Sequence, residues 1–206
     1  MLKVLRSSIL AGIAIGLAGF GFLACGVQSA YGSSVGAVLF CFGLLTVVEY
    51  KLKLFTGTAG FIGKEQIGEL SLILVGNVLG CFLVSLLARV SGLAVVDAAD
   101  RLLAGRLALG PVRCGLLAIG CGFMMTTAVT FGRKGRFLPL LFAVPLFIVC
   151  GFPHCIADAF YYLCAPWATL SANLWQILLL HLSIVLGNFV GCNLYRFIID
   201  KENKIL

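Results

Sequence analysis

Charged residues fall at intervals that cut the chain into long apolar runs. Ser7 to Val48 holds no Asp, Glu, Lys or Arg. That length suits two membrane spans of about 20 residues each, with a polar turn at Gln28–Ser34. Span 1 is expected at about Ile9–Val27 and span 2 from near Ser34 to about Val48. Gly12 and Gly16, one helical turn apart in span 1, suit close approach to another helix in lipid. A third apolar run, Leu70–Ala88, predicts span 3. The mixed stretch Val90–Leu109, with Asp97, Asp100, Arg101 and Arg106, reads as an extramembrane connection with some helix. Val112–Phe131 predicts span 4, and Leu174–Phe197 span 6.

Two runs resist assignment to one straight helix. After Val48 come charges, then Leu54-Phe55-Thr56-Gly57-Thr58, then a short apolar piece to Ile62. Phe137–Trp167 is apolar, too long for one span, and interrupted by Pro139, Pro145, Pro153 and Pro166. Both read as broken spans, numbers 2 and 5, of the kind in which unwound backbone lines a cavity. From Phe137 to Tyr195 the single formal charge is Asp158, with His154 four residues before it. At helical spacing the two share a face. Ionisable groups at membrane depth are costly and mark functional paths. Asp158 has three candidate partners: the His154 ring, Lys53 or the Thr56–Thr58 loop of the other break, or backbone groups of its own break.

Composition agrees with this pattern. The chain is 61% hydrophobic and 11% charged, with mean hydropathy +1.11, against about 25% charged for a soluble domain. It is expected to be an all-α integral membrane protein. The net charge of +7 lies in short loops, so it orients the chain rather than binding nucleic acid. With the N-terminus inside, eleven Lys and Arg fall on the inner side and four (Arg89, Arg101, Arg106 and Arg113) on the outer. Both termini are therefore expected in the cytoplasm of a cell-membrane protein. The nine Cys are scattered singly, with no metal-ligand or disulfide spacing. No cofactor and no metal are expected. His154, Asp158 and Cys155 do not complete a nucleophile–base–orienter set, so an enzyme is not expected.

Gly76-Asn77-x-x-Gly80-Cys81 recurs as Gly187-Asn188-x-x-Gly191-Cys192 near the far end of the chain. One copy lies in span 3 and the other in span 6. Two halves of three spans, about 7–90 and 110–198, are then expected to run oppositely through the bilayer within one transmembrane domain of residues 1–206. In such inverted repeats the site lies at the interface of the halves, where the two breaks would meet.

Leu54-Phe55-Thr56-Gly57, Gly151-Phe152-Pro153-His154-Cys155-Ile156-Ala157-Asp158 and the two Gly-Asn motifs, in this order, resemble the formate/nitrite transporter family over roughly Ser34–Phe197. The resemblance implies an aquaporin-like fold of six spans, a homopentamer in the bilayer with one pore per protomer, and passage of small monovalent anions such as formate, nitrite, hydrosulfide or lactate; because a bare anion is costly in an apolar pore, a proton is expected to accompany it through His154. The resemblance also implies residue roles. Phe40 and Phe147 match one apolar constriction; Leu44, Leu54 and Leu117 match a second; Thr56 lies between them, and His154 is the central pore histidine. Lys53, Thr58, Pro153, Asp158 and Cys114 depart from the family's pattern. A neutral-solute or water channel is the alternative function, although none of the five Pro follows an Asn as in aquaporins.

Overall fold

The structure is a computed structural model and describes residues 1–198. The charged tail expected from Asp200 to Leu206 lies outside the described residues. The described residues form helices and no strand. In the first half, α1 (Leu2–Gln28) is followed by α2 (Gly32–Leu39) and α3 (Cys41–Glu49), joined at Phe40, whose own backbone is helical. A one-turn helix, α4 (Phe55–Thr58), follows after a turn. A 3₁₀ turn at Lys64–Gln66 then leads into α5 (Ile67–Arg89). The second half holds α6 (Val95–Gly132), α7 (Leu138–Val149), α8 (Cys155–Cys164), α9 (Trp167–Ala172), α10 (Leu174–Cys192) and α11 (Leu194–Ile198).

Five stretches are long and apolar enough to cross a bilayer: α1, Gly32–Glu49, α5, α6 and α10. The helices α7 and α8 are apolar but shorter. Outward faces carry large aliphatic side chains, among them Val75, Leu79 and Leu83 on α5 and Leu178, Leu182 and Leu186 on α10. Water would not tolerate so much exposed apolar surface on one molecule; hydrocarbon does. The chain is a multi-pass membrane protein.

The sequence-expected connection Val90–Leu109 is helical from Val95 onward and packed on the body, with Val95, Ala99 and Leu103 fully buried. It parts from the following span at Gly110, where φ is 78°. An L side chain resists that angle, and Pro111 supplies the first residue of the next helical segment, where its missing N–H costs nothing.

Glycines set the two tightest helix pairs. A Cβ on Gly12 would overlap the Asn77 carbonyl oxygen, and one on Gly80 would overlap that of Ile9, so α1 and α5 pack backbone to backbone. In the second half Gly122 stands in the same relation to Asn188, and Gly191 to Ile119, which joins α6 to α10. Gly16 faces Val84 on the same α1 stripe, as the spacing predicts. Substituting Gly191→Leu should therefore separate α6 from α10 and lower stability by about 1–3 kcal/mol or more. Gly21→Ala, with nothing within 4 Å of the new carbon, should leave it unchanged. Thermal unfolding of the two variants in detergent checks the contrast.

Candidate functional site

Each half contains one place where the backbone leaves its helix inside the apolar interior. Exposed N–H and C=O groups there must find partners within the protein. In the first half Asn77 supplies three such contacts. Its Oδ1 accepts from Phe55 N at 2.9 Å, and its Nδ2 donates to the carbonyls of Ser8 (2.8 Å) and Lys53 (2.9 Å). In the second half Asn188 does the same. Oδ1 accepts from Cys155 N at 2.8 Å, and Nδ2 donates to Ala118 O (2.8 Å) and Pro153 O (3.0 Å). Both asparagines are fully buried. An amide is the side chain that offers an acceptor and two donors from one fork, which is the physical content of the Gly-Asn motif. The paired cysteines follow the same symmetry. Cys81 Sγ donates to Ile156 O of the opposite break at 3.3 Å, and Cys192 Sγ to Thr56 O at 3.4 Å.

The two breaks meet at Thr56 and His154. Thr56 Oγ1 lies 3.0 Å from His154 Nε2. His154 is the N-cap of α8, and its Nδ1 accepts from Ile156 N (3.3 Å) and Ala157 N (3.2 Å). A ring nitrogen that accepts two N–H groups carries no proton. The hydrogen-bond network thus assigns the neutral ring with its proton on Nε2, donated to Thr56. The Phe147 ring lies against the imidazole, 5.8 Å between centroids, and Phe40 meets Phe147 edge-on at 5.9 Å. Leu44 and Leu54 are buried, and Leu117 is half-buried on α6.

Asp158 turns away from the imidazole. Its Oδ2 accepts the backbone N–H of His154 at 2.8 Å, a reciprocal cap on the first turn of α8. Its Oδ1 accepts from Arg106 Nε at 2.8 Å and from the Tyr162 hydroxyl at 3.2 Å. Arg106 also donates through Nη1 to Gly151 O at 2.7 Å. Of the partners considered from the sequence, backbone capping is therefore found, with Arg106 added. Lys53 instead pairs with Glu69 at 3.0 Å on the surface.

Two cavities are lined by neighbours of Thr56 and His154. One, of about 540 Å³, is lined by Lys51, Lys53, Gly57, Thr58 and Arg133 among others. The second, of about 300 Å³, is lined by Arg101, Arg106, Phe147, Ala157 and Asp158 among others. Gly57 follows Thr56 directly and Phe147 lies against the His154 ring, so each space borders a neighbour of the contact. In both, Lys and Arg outnumber the acidic residues, which are Glu49 in the first and Asp158 in the second.

The sequence profile of formate/nitrite transporters matches residues 1–198. The chain belongs to the formate/nitrite transporter family. Two solved structures share the fold. A structure titled "Pentameric formate channel with formate bound" superposes with TM-score 0.77 at 24% identity, covering 94% of this chain and 93% of that one. An "FNT family ion channel" superposes with TM-score 0.78 at 21% identity, covering 94% and 87%. No curated protein sequence matches the chain.

Within this formate/nitrite transporter fold, the residue that sequence reasoning overlooked is Arg106. The signal was present: Val95, Ala99 and Leu103 mark a buried stripe at helical spacing, and Arg106 continues it three residues on. Read as a loop charge, it was counted only for topology. The caps on α4 were also unforeseen: Arg133 Nη2 donates to Gly57 O at 2.8 Å and Asn193 Nδ2 to Ala59 O at 3.1 Å. Asn188→Ala should leave Cys155 N, Ala118 O and Pro153 O without their partner, at about 1–3 kcal/mol for each buried group left unpaired. A fall in thermal stability of this size, matched by Asn77→Ala in the other half, checks the equivalence of the two asparagines.

Proposed function

We propose that this protein is a membrane channel or transporter for small monovalent anions of weak acids, of the formate, nitrite, hydrosulfide or lactate type. In this reading one transmembrane domain holds two inverted halves and six spans. Spans 2 and 5 are each made of separate pieces, α2/α3 with α4, and α7 with α8. Five copies assemble in the cell membrane with both termini in the cytoplasm, the side that the Lys and Arg count favours.

The observation that carries the reading is a buried hydroxyl–imidazole pair, Thr56 and His154, among apolar side chains, with two cavities rich in Lys and Arg lined by its neighbours Gly57 and Phe147. An anion stripped of water in an apolar passage is costly; the neutral acid costs far less. The basic cavities gather the anion. Phe40 and Phe147 on one side, and Leu44, Leu54 and Leu117 on the other, admit a small solute largely desolvated. Between them His154 Nε2–H donates to the solute's oxygen, and the Thr56 hydroxyl donates or accepts as needed. A proton accompanies the anion, so passage is proton-linked. Because Nδ1 is held by the α8 cap, only the Nε2 edge is available to the solute.

Proteoliposome flux of formate, nitrite, hydrosulfide and lactate across a pH series tests the proposal. Flux should rise as pH falls and the acid form becomes more abundant. His154→Asn is the informative variant. Asn is a good N-cap, so α8 keeps its start, while the shorter side chain withdraws the donor from Thr56. Flux should drop about tenfold, the worth of one buried hydrogen bond, with thermal stability near wild type. Osmotic swelling without any anion flux would replace this reading with a water or neutral-solute channel.

A further inference from the structure

Asp158 receives more donors than a cap needs. A guanidinium N–H, a backbone N–H and a phenol hydroxyl converge on its two oxygens, from Arg106, His154 and Tyr162. The carboxylate is 1% exposed, and the Arg106 side chain 14%. Three donors of three kinds around one carboxylate make a receptor for a carboxylate, with charge-assisted hydrogen bonds of the strong class. The receptor also opens on the 300 Å³ cavity, since Arg106 and Asp158 both line it. A formate-type anion presents the same two oxygens at the same separation as the Asp side chain.

We propose that Asp158 is a tethered occupant of a monocarboxylate site formed by Arg106, His154 N–H and Tyr162, and that it determines how weakly the cavity beside Phe147 holds a permeant anion. This inference rests on the transport reading above for its physiological meaning, but the site itself does not. With Asp158 in place, Arg106 is balanced internally, and Arg101 is the other charged residue lining the cavity. An arriving anion must share Arg106 with a carboxylate that never leaves, so it is bound briefly and released. Removing the carboxylate alone would leave a largely buried cation without a counter-ion, a costly state that a small anion from solution relieves. Asp158 is thus a specificity-determining residue that trades affinity for turnover and disfavours a second or a doubly charged anion. The first half does not duplicate it: the residue equivalent by its place in the break is Thr58.

Asp158→Asn tests the idea, because the amide oxygen can still cap His154 N–H while the negative charge is gone. The purified variant is titrated with sodium formate at constant ionic strength, with sodium gluconate as the balancing salt. Its melting temperature should rise with formate, whereas that of wild type should stay nearly flat. In proteoliposomes the half-saturating formate concentration should fall about tenfold or more, in line with the coupling of a close charge pair, and the maximum flux should fall with it. Adding Arg106→Gln to Asp158→Asn should abolish the formate dependence. A folded Asp158→Asn protein whose melting temperature and half-saturation respond to formate as wild type does would overturn the proposal. If that variant does not assemble, Asp158→Ser also leaves Arg106 without a counter-ion, and absence of formate dependence there overturns it equally. Formate-dependent melting in a protein that moves no anion would uphold the site and refute transport.

Discussion

A chain that breaks its helices inside an apolar medium must satisfy the freed backbone groups or lose the break. Two buried asparagines meet that demand. Asn77 and Asn188 each bind one N–H at the start of a half-helix and two carbonyls, one on the break and one on a neighbouring helix. The glycines around them follow from the same requirement. Asn77 can reach Ser8 O only because Gly12 and Gly80 let α1 lie directly on α5, and Asn188 can reach Ala118 O because Gly122 and Gly191 do the same for α6 and α10. Small residues allow the approach, the approach places the amide, and the amide holds the break open where a solute could pass.

The symmetry of this frame makes its exceptions informative. Phe55 N and Cys155 N occupy equivalent places on the two asparagines. In that register His154 stands where the first half has Leu54, and Asp158 where it has Thr58. The first half-helix begins without a side-chain cap, at an apolar residue. The second begins at an imidazole that caps it and still presents an N–H to Thr56. Matching asparagine contacts therefore carry an unmatched pair of residues, apolar Leu54 in one break and polar His154 in the other. The spacing differs too: |i−j| is 22 from Phe55 to Asn77 and 33 from Cys155 to Asn188. The segment bearing α9 falls within the longer stretch.

How far the sequence foretold this depends on whether a feature is written locally. The apolar runs and the repeated Gly-Asn motif are patterns over a few residues, and each marks an element at or near its expected place. The sequence placed the two breaks face to face but did not single out the contact of Thr56 with His154. Arg106 was hidden because its partner is distant in sequence, and a charge near a loop is a topology signal far more often than a buried ion. The direction taken by Asp158 was undecidable from spacing alone. A residue four places into a helix start can reach back to the backbone as easily as sideways to a ring, and the choice fell to Arg106, on another element. The caps on α4 were hidden for the same reason, since they come from Arg133 and Asn193, in the other half of the chain.

The placement of charge around the two breaks has a consistent sign. The half-helices α4 and α8 both start at the centre, so N–H groups and the positive end of the α8 dipole point there. Their far ends, where carbonyls accumulate, are covered by arginines: Arg133 on Gly57 O, and Arg89 on Leu163 O and Ala165 O. Arg89 is further held by stacking over the Trp167 ring. Cations thus sit where helix carbonyls would otherwise attract a positive ion, and donors sit where a negative one would be stripped of water. The carboxylate of Asp158, buried near the centre, is neutralised by Arg106 rather than left to repel. Each of these contacts answers a local need of the backbone or of a buried charge. Their sum is a set of breaks whose backbone ends and buried charge are all answered from within the protein.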